Sequence, residues 1–174
     1  MKLFKILVNG QKFISDHLQI LYKTLVKYRV ASVGKNLHVI GFSIVSKTTI
    51  LGNNVNFNGI RISGAGKVQI GNNFHSGREC LIISQNHNYD KGNAIPYDDT
   101  YIPKDVIIED NVWIGDRVII LGGSHIEEGA IIQAGSVVVG RIPMGSIAGG
   151  HPAKVFSSRD MDHYNELKQA GKFM

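Results

Sequence analysis

Six aliphatic residues, Ile108, Ile114, Ile120, Ile126, Ile132 and Val138, stand six positions apart without a slip. This spacing restricts the fold more than any other feature of the chain. A helix buries residues with a period near 3.6 and a half-buried strand with a period of 2, so neither explains it. The position four after each aliphatic residue is small or short-branched: Val112, Val118, Ser124, Ala130 and Ser136. The same register runs earlier through Val33, Val39, Val45, Leu51 and Phe57, and again through Ile70, Ser76 and Ile82. It slips between Phe57 and Ile70, and between Ile82 and Ile108. A unit with one large and one small inward residue suits a short strand followed by a corner. Three units close a triangular coil of about 18 residues, and stacked coils pair their strands in parallel. The pattern therefore predicts an all-β solenoid, a parallel β-helix of hexapeptide repeats. Gly34, Gly52, Gly71, Gly77 and Gly115 each follow a residue of the six-spaced series and are read as easing tight backbone paths.

The solenoid needs its ends covered. Residues 11–30 carry an apolar row, Ile14, Leu18, Leu21, Leu25 and Tyr28, at helical spacing. We assign residues 1–32 to an N-terminal helical cap, 33–157 to the β-helix and 158–174 to a short C-terminal helical tail. The stretch 88–104 has no six-residue register and is expected to be a long loop inserted in the solenoid. Such loops are often functional.

Net charge is +5, and much of the excess lies near the start, where Lys2, Lys5, Lys12, Lys23, Lys27, Arg29 and Lys35 face Asp16 alone. A peripheral contact with an anionic membrane is compatible with this, although a solvated basic face is the plainer reading. Nucleic acid is not expected, because no basic stripe interleaves with aromatics. No signal peptide is read in the opening residues, and the single cysteine, Cys80, excludes an intrachain disulfide. The expected location is cytoplasmic, with the inner face of the membrane as its refinement. Cys80 falls on an inward small-residue position and is expected in the core.

Four features together resemble the hexapeptide-repeat acyltransferases. They are the repeats, the "SQNHNYD" segment before the loop, "NVWIG" at 111–115, and the closing "AGSVVVGRIPMGSIAGGHPAKV". The likeness covers about residues 33–157 and is nearest to galactoside and maltose O-acetyltransferases and to sugar O-acetyltransferases of capsule and O-antigen loci. It implies a left-handed coil, a homotrimer with active sites between subunits, and acetyl-CoA as cosubstrate without a metal. It implies His87 as general base, a task that suits an imidazole. It places an acceptor-binding amide at Asn56, the backbone N–H of Asp116 at the thioester oxygen, and Trp113 beside the active site. Ala134 and Gly135 match the backbone that lines the pantetheine groove, and Lys154 matches the basic residue at the adenine end. Arg141 is a further candidate for the coenzyme A phosphates. Tyr89 and Asp90 in the loop are candidate acceptor contacts.

The sequence departs from the family at three places. Ala65 stands where the galactoside enzymes have a sugar-binding Asp, Asp116 where Ser is usual, and Val139-Gly140 where a Thr-Lys pair is usual. A surface polysaccharide or its precursor is therefore expected as acceptor rather than a simple galactoside. The alternatives are a xenobiotic acetyltransferase, which "NHNYD" also resembles, and a non-catalytic scaffold. The zinc-binding anhydrases that share such coils are disfavoured, because no two histidines stand five apart.

Overall fold

The computed structural model describes the backbone of residues 2–174 and the side chains of residues 15–174. The predicted solenoid is present. Its first face holds six parallel strands: Ser32–Val33, Thr49–Leu51, Val68–Ile70, Val106–Ile108, His125–Ile126 and Arg141–Ile142. The second face runs through His38–Gly41, Asn56–Asn58, His75–Ser76, Trp113–Ile114, Ile131–Ile132 and Ser146–Gly150. The third holds Ile60–Ser63, Cys80–Ile83, Ile119–Leu121 and Val137–Val138. All six residues of the opening series are buried, and so are their small partners four positions on. Burying a large aliphatic side chain contributes about 1.5–3 kcal/mol, so the column they form is the main stabilising element of the stack. Cys80 lies inside as expected, and burial pushes its thiol up to about 11.

The glycines act differently from the reading above. None of Gly34, Gly52, Gly71, Gly77 and Gly115 has a positive φ. Each instead lies against the coil above: a Cβ on Gly71 would sit 2.7 Å from the Glu109 carbonyl carbon, and one on Gly115 would sit 2.7 Å from Ala134 N. Strand spacing, not turn geometry, excludes a side chain there. The left-handed corners fall two residues later. Along the edge between the first and second faces they are carried by Asn36, Asn54, Asn73 and Asn111, with φ of 54–60°. Asparagine tolerates this region because its short amide can bond locally. Here the amides also bond vertically, Asn54 donating to Asn73 at 3.0 Å and Asn73 to Asn111 at 2.8 Å.

The N-terminal helix, α1, spans Lys2–Arg29, extending in front of the apolar row that begins at Ile14. It lies against the strand His38–Gly41 and so covers the end of the stack, but not with the expected row. Leu18, Leu21, Leu25 and Tyr28 face outward, with Leu21 51% and Tyr28 93% exposed. Tyr22, Val26 and Val30 dock instead, and the Tyr22 ring meets Phe42 edge-on at 5.5 Å. The short link from Arg29 to Ser32 fixes the rotation of the helix, and Arg29 Nε donates to the Val45 carbonyl at 3.0 Å. Ile14, the first of the predicted row, lies outside the residues with described side chains.

Two further elements were not foreseen. The end of the segment assigned to the β-helix is a hairpin, in which Ala153–Ser158 pairs antiparallel with Ser146–Gly150. The inserted segment is not all loop: its base is a ribbon of Gln85–His87 against Tyr101–Pro103. The second helix, α2, spans Met161–Gln169 and is capped by Asp160, whose carboxylate accepts from the N–H groups of Asp162 and His163. The tail then returns along the asparagine edge, where the Met174 carbonyl accepts from Asn54 Nδ2 at 2.7 Å.

Candidate active site

His87 ends the inner strand of the ribbon, at the edge between the third and first faces. The loop between the strands is tied internally. The Asp98 carboxylate accepts from Asn93 N and Thr100 N, both at 3.0 Å, and the Thr100 hydroxyl holds it below the usual carboxylate range. The closed loop lays Tyr97 on His87 with ring centroids 3.8 Å apart and planes 20° apart. Tyr101 lies tilted beside the imidazole at 4.5 Å. His87 Nδ1 is enclosed and has no hydrogen-bond partner, which leaves Nε2 as the nitrogen open to the surroundings. A pocket of about 400 Å³ adjoins it, shared by Ser63, Gly64, Gln85, Tyr89 and Tyr101. For Nε2 to accept a proton, the ring's own proton must sit on Nδ1. No acceptor waits there, so stacking by Tyr97 and Tyr101 orients the ring in place of a hydrogen bond.

Gln85 was missed by the sequence reading. It lines the same pocket, and its Oε1 accepts from Ala65 N at 2.8 Å. It stands two residues before His87, and alternate residues of a strand share a side, so the signal was available. Tyr89 joins His87 in the pocket, whereas Asp90 lies exposed in the turn that follows and does not line it.

The remaining candidates lie elsewhere on the chain. Asp116, Ala134 and Gly135 stack in successive coils along the edge between the second and third faces, Gly135 N donating to the Asp116 carbonyl at 2.8 Å. The Asp116 carboxylate accepts from Arg78 N at 2.8 Å, and this bond holds its pKa below the usual range. Ala134 and Gly135 are exposed. Lys154 lies opposite Gly149 on the closing hairpin, which Gly150 N anchors to Ser136 Oγ on this same edge. An exposed backbone run with an ammonium near its end suits a pantetheine arm and its phosphates. Arg141 fits that task less well: it lies on the first face and pairs with Glu127. Asn56 and Trp113 occupy the second face, with His75 between them in register. Trp113 stands outside the coil, 52% exposed. The chain thus brings His87 and Tyr89 together, and separately Asp116, Ala134, Gly135 and Lys154, without joining the two groups.

Residues 105–140 match the family described as bacterial transferase hexapeptide (six repeats). The matched segment spans coils of the solenoid where the six-residue register runs without a slip. Among solved hexapeptide-repeat structures, an acetyltransferase of Vibrio cholerae O1 biovar eltor complexed with acetyl coenzyme A is similar at 26% identity. The match covers 77% of this chain and 74% of that one, with a TM-score of 0.67. A galactoside acetyltransferase in complex with coenzyme A is similar at 28% identity over 80% of this chain and 71% of that one, with a TM-score of 0.69. A curated relative, the 2,3,4,5-tetrahydropyridine-2,6-dicarboxylate N-acetyltransferase of Clostridium perfringens strain SM101, is 48% identical over 54 residues. That match takes in 31% of this chain and 23% of the relative, so the hexapeptide-repeat chain spans about a quarter of the relative's length.

Proposed function

We propose that this chain is an acetyl-CoA-dependent acetyltransferase whose acceptor is a sugar hydroxyl, with His87 as general base. The observation that carries the reading is the open Nε2 of His87, held by stacked rings at the mouth of a pocket beside an inserted loop. Nε2 takes the hydroxyl proton, the oxygen bonds to the acetyl carbonyl carbon, and the carbon–sulfur bond breaks. The departing thiolate takes the proton back from the imidazolium. Backbone N–H at Asp116 is the assigned donor to the developing oxyanion. Ala134, Gly135 and Lys154 are assigned to the coenzyme, and Asn56 and Trp113 to the acceptor side. Likeness over most of the chain to two transferases solved with coenzyme A or its acetyl ester supports the donor.

The separation of His87 from the Asp116 edge supports a homotrimer in which one subunit brings its base to a neighbour's coenzyme groove. Light scattering should give three times the chain mass, and a monomer with full turnover would overturn it. The acceptor is read as a polysaccharide or its precursor, in a cytoplasmic setting. The outward row Leu18, Leu21, Leu25 and Tyr28, near Lys23 and Lys27, supports contact with an anionic membrane surface. Co-sedimentation with phosphatidylserine vesicles but not with phosphatidylcholine vesicles checks this. Among the described residues no helix is long and apolar enough to cross a membrane.

An amine acceptor is the second reading, favoured by the N-acetyltransferase relative. Thiol release from acetyl-CoA should be measured with glycan oligomers, free galactosides, amino sugars and chloramphenicol. Fastest release with glycan oligomers, giving an ester cleaved by mild base, supports the proposal. A base-stable amide as the main product would replace it with the second reading.

A further inference from the structure

The returning tail and the second face flank a groove of about 590 Å³ that shares no lining residue with the His87 pocket. This size suits one small molecule. Its floor includes Trp113 and His75, paired in register in adjacent coils. Asn56 continues the same outward row one coil further, in register with His75. Phe57, Ser76 and Ile114, the next residue on each strand, are buried, as strand alternation requires. The row offers an amide, an imidazole and an indole in a line spanning roughly 10 Å, twice the strand spacing.

The roof of the groove mixes apolar residues, Leu167, Phe173 and Met174, with three cations, Arg159, Lys168 and Lys172. Lys168 is answered by Glu128, but the other two are not matched by carboxylates. Arg159 Nε donates to a neutral acceptor, the Gly129 carbonyl at 2.6 Å, and its guanidinium lies 5.6 Å from the Tyr164 ring centroid. Lys172 makes no ion pair among the described residues. A half-bare indole, hydrogen-bonding side chains beside it, and two positive charges above describe a particular ligand chemistry. An indole face takes the C–H face of a sugar ring, amide and imidazole nitrogens take its hydroxyls, and paired cations take a phosphate.

We propose that this groove binds a phosphorylated sugar, with its ring on Trp113 and its phosphate between Arg159 and Lys172. The purpose of the site rests on the acyl-transfer reading, since it would seat the anionic end of the acceptor. Binding itself does not depend on turnover.

Trp113 is the only tryptophan, so its emission reports the groove directly. Glucose 1-phosphate, glucose and inorganic phosphate should each be titrated into the full chain. Glucose 1-phosphate should give a saturable emission change, tighter than either part alone. Lys172→Gln, which removes no internal ion pair, should weaken it about tenfold, the value of one hydrogen bond to a charged group. His87→Ala should leave it unchanged. No saturable change, or an unchanged affinity in Lys172→Gln, overturns the site. Equal affinity for phosphate and glucose 1-phosphate overturns the sugar assignment. Emission change without turnover in the wild type leaves the groove standing and removes the acyl-transfer reading. Turnover of a phosphorylated sugar without emission change does the reverse.

Discussion

Replacing Asn73 by Ala tests what the asparagine edge contributes. Asn73 accepts from Asn54 Nδ2 at 3.0 Å and donates to Asn111 Oδ1 at 2.8 Å, both partly buried. Each such bond contributes about 1 kcal/mol net. Its φ of 54° adds a second cost, because alanine in the left-handed region is strained by about 1–2 kcal/mol. Asn73→Ala should therefore destabilise by about 3 kcal/mol, lowering Tm by roughly 6–12 °C for a chain of this size. Asn73→Gly loses the same two bonds but keeps an unstrained backbone, so it should fall by about 2 kcal/mol. Thermal unfolding followed by circular dichroism, at one chain concentration, compares the three proteins. Equal Tm values for the Ala and Gly variants would show that the left-handed corner carries no strain. An Ala variant within about one degree of wild type would remove the ladder as a stabilising element.

Four other outcomes are expected. His87→Ala should retain the fold and lose about 10²–10⁴ in turnover, read as thiol release from acetyl-CoA. Tyr97→Ala removes a stacked ring worth about 0.5–1.5 kcal/mol and should lower kcat several-fold with thermal stability nearly unchanged; an unchanged kcat would deny Tyr97 any role in orienting the base. Cys80 should resist a thiol reagent at pH 8 in the folded protein and react on unfolding, since burial holds it protonated up to about 11. Burial alone would raise the pKa of Glu128, but its bonds from Lys168, Tyr164 and Asn111 outweigh this and depress it. A depressed carboxylate stabilises above its unfolded value and loses that contribution as pH falls through the folded one. Tail docking should therefore hold at neutral pH and weaken below about pH 4, read from Trp113 emission, and Glu128→Gln should flatten that dependence.

The inward columns were legible because every coil repeats the same steric demand. Val33, at the end of the stack and only half buried, is where the demand relaxes. The slip after Phe57 coincides with a lengthened third-face strand, Ile60–Ser63, followed by a bend at Gly64, whose φ is 108°. The place of His87 beside the insertion was legible because the six-residue register ends there. The rotation of α1 was not, because two apolar rows share the helix and the link to Ser32 chooses between them. The ribbon behind His87 and the tail over Trp113 depend on pairing between distant residues, such as Gln85 with Pro103 and Asn54 with Met174, which leaves no local period.

The insertion beside His87 also divides the stack in time. Below it, adjoining coils pair residues 18–20 apart in the chain, as Thr48 with Gly66, Asn53 with Asn72 and Ala65 with Gln85. Across it, Asn72 meets Asp110 and Arg78 meets Asp116 at a separation of 38. Doubling the length of chain to be closed adds about 0.6 kcal/mol of entropy to that one junction. In a linear array stabilised by its neighbours, such a junction is the natural break between two cooperative blocks. Residues 32–83 and 106–142 should each zip from within and meet at this seam. Amide exchange should then show the rungs at 72–78 and 110–116 opening before the strands at either side. The proposed base and its pocket stand at the joint that closes last and opens first.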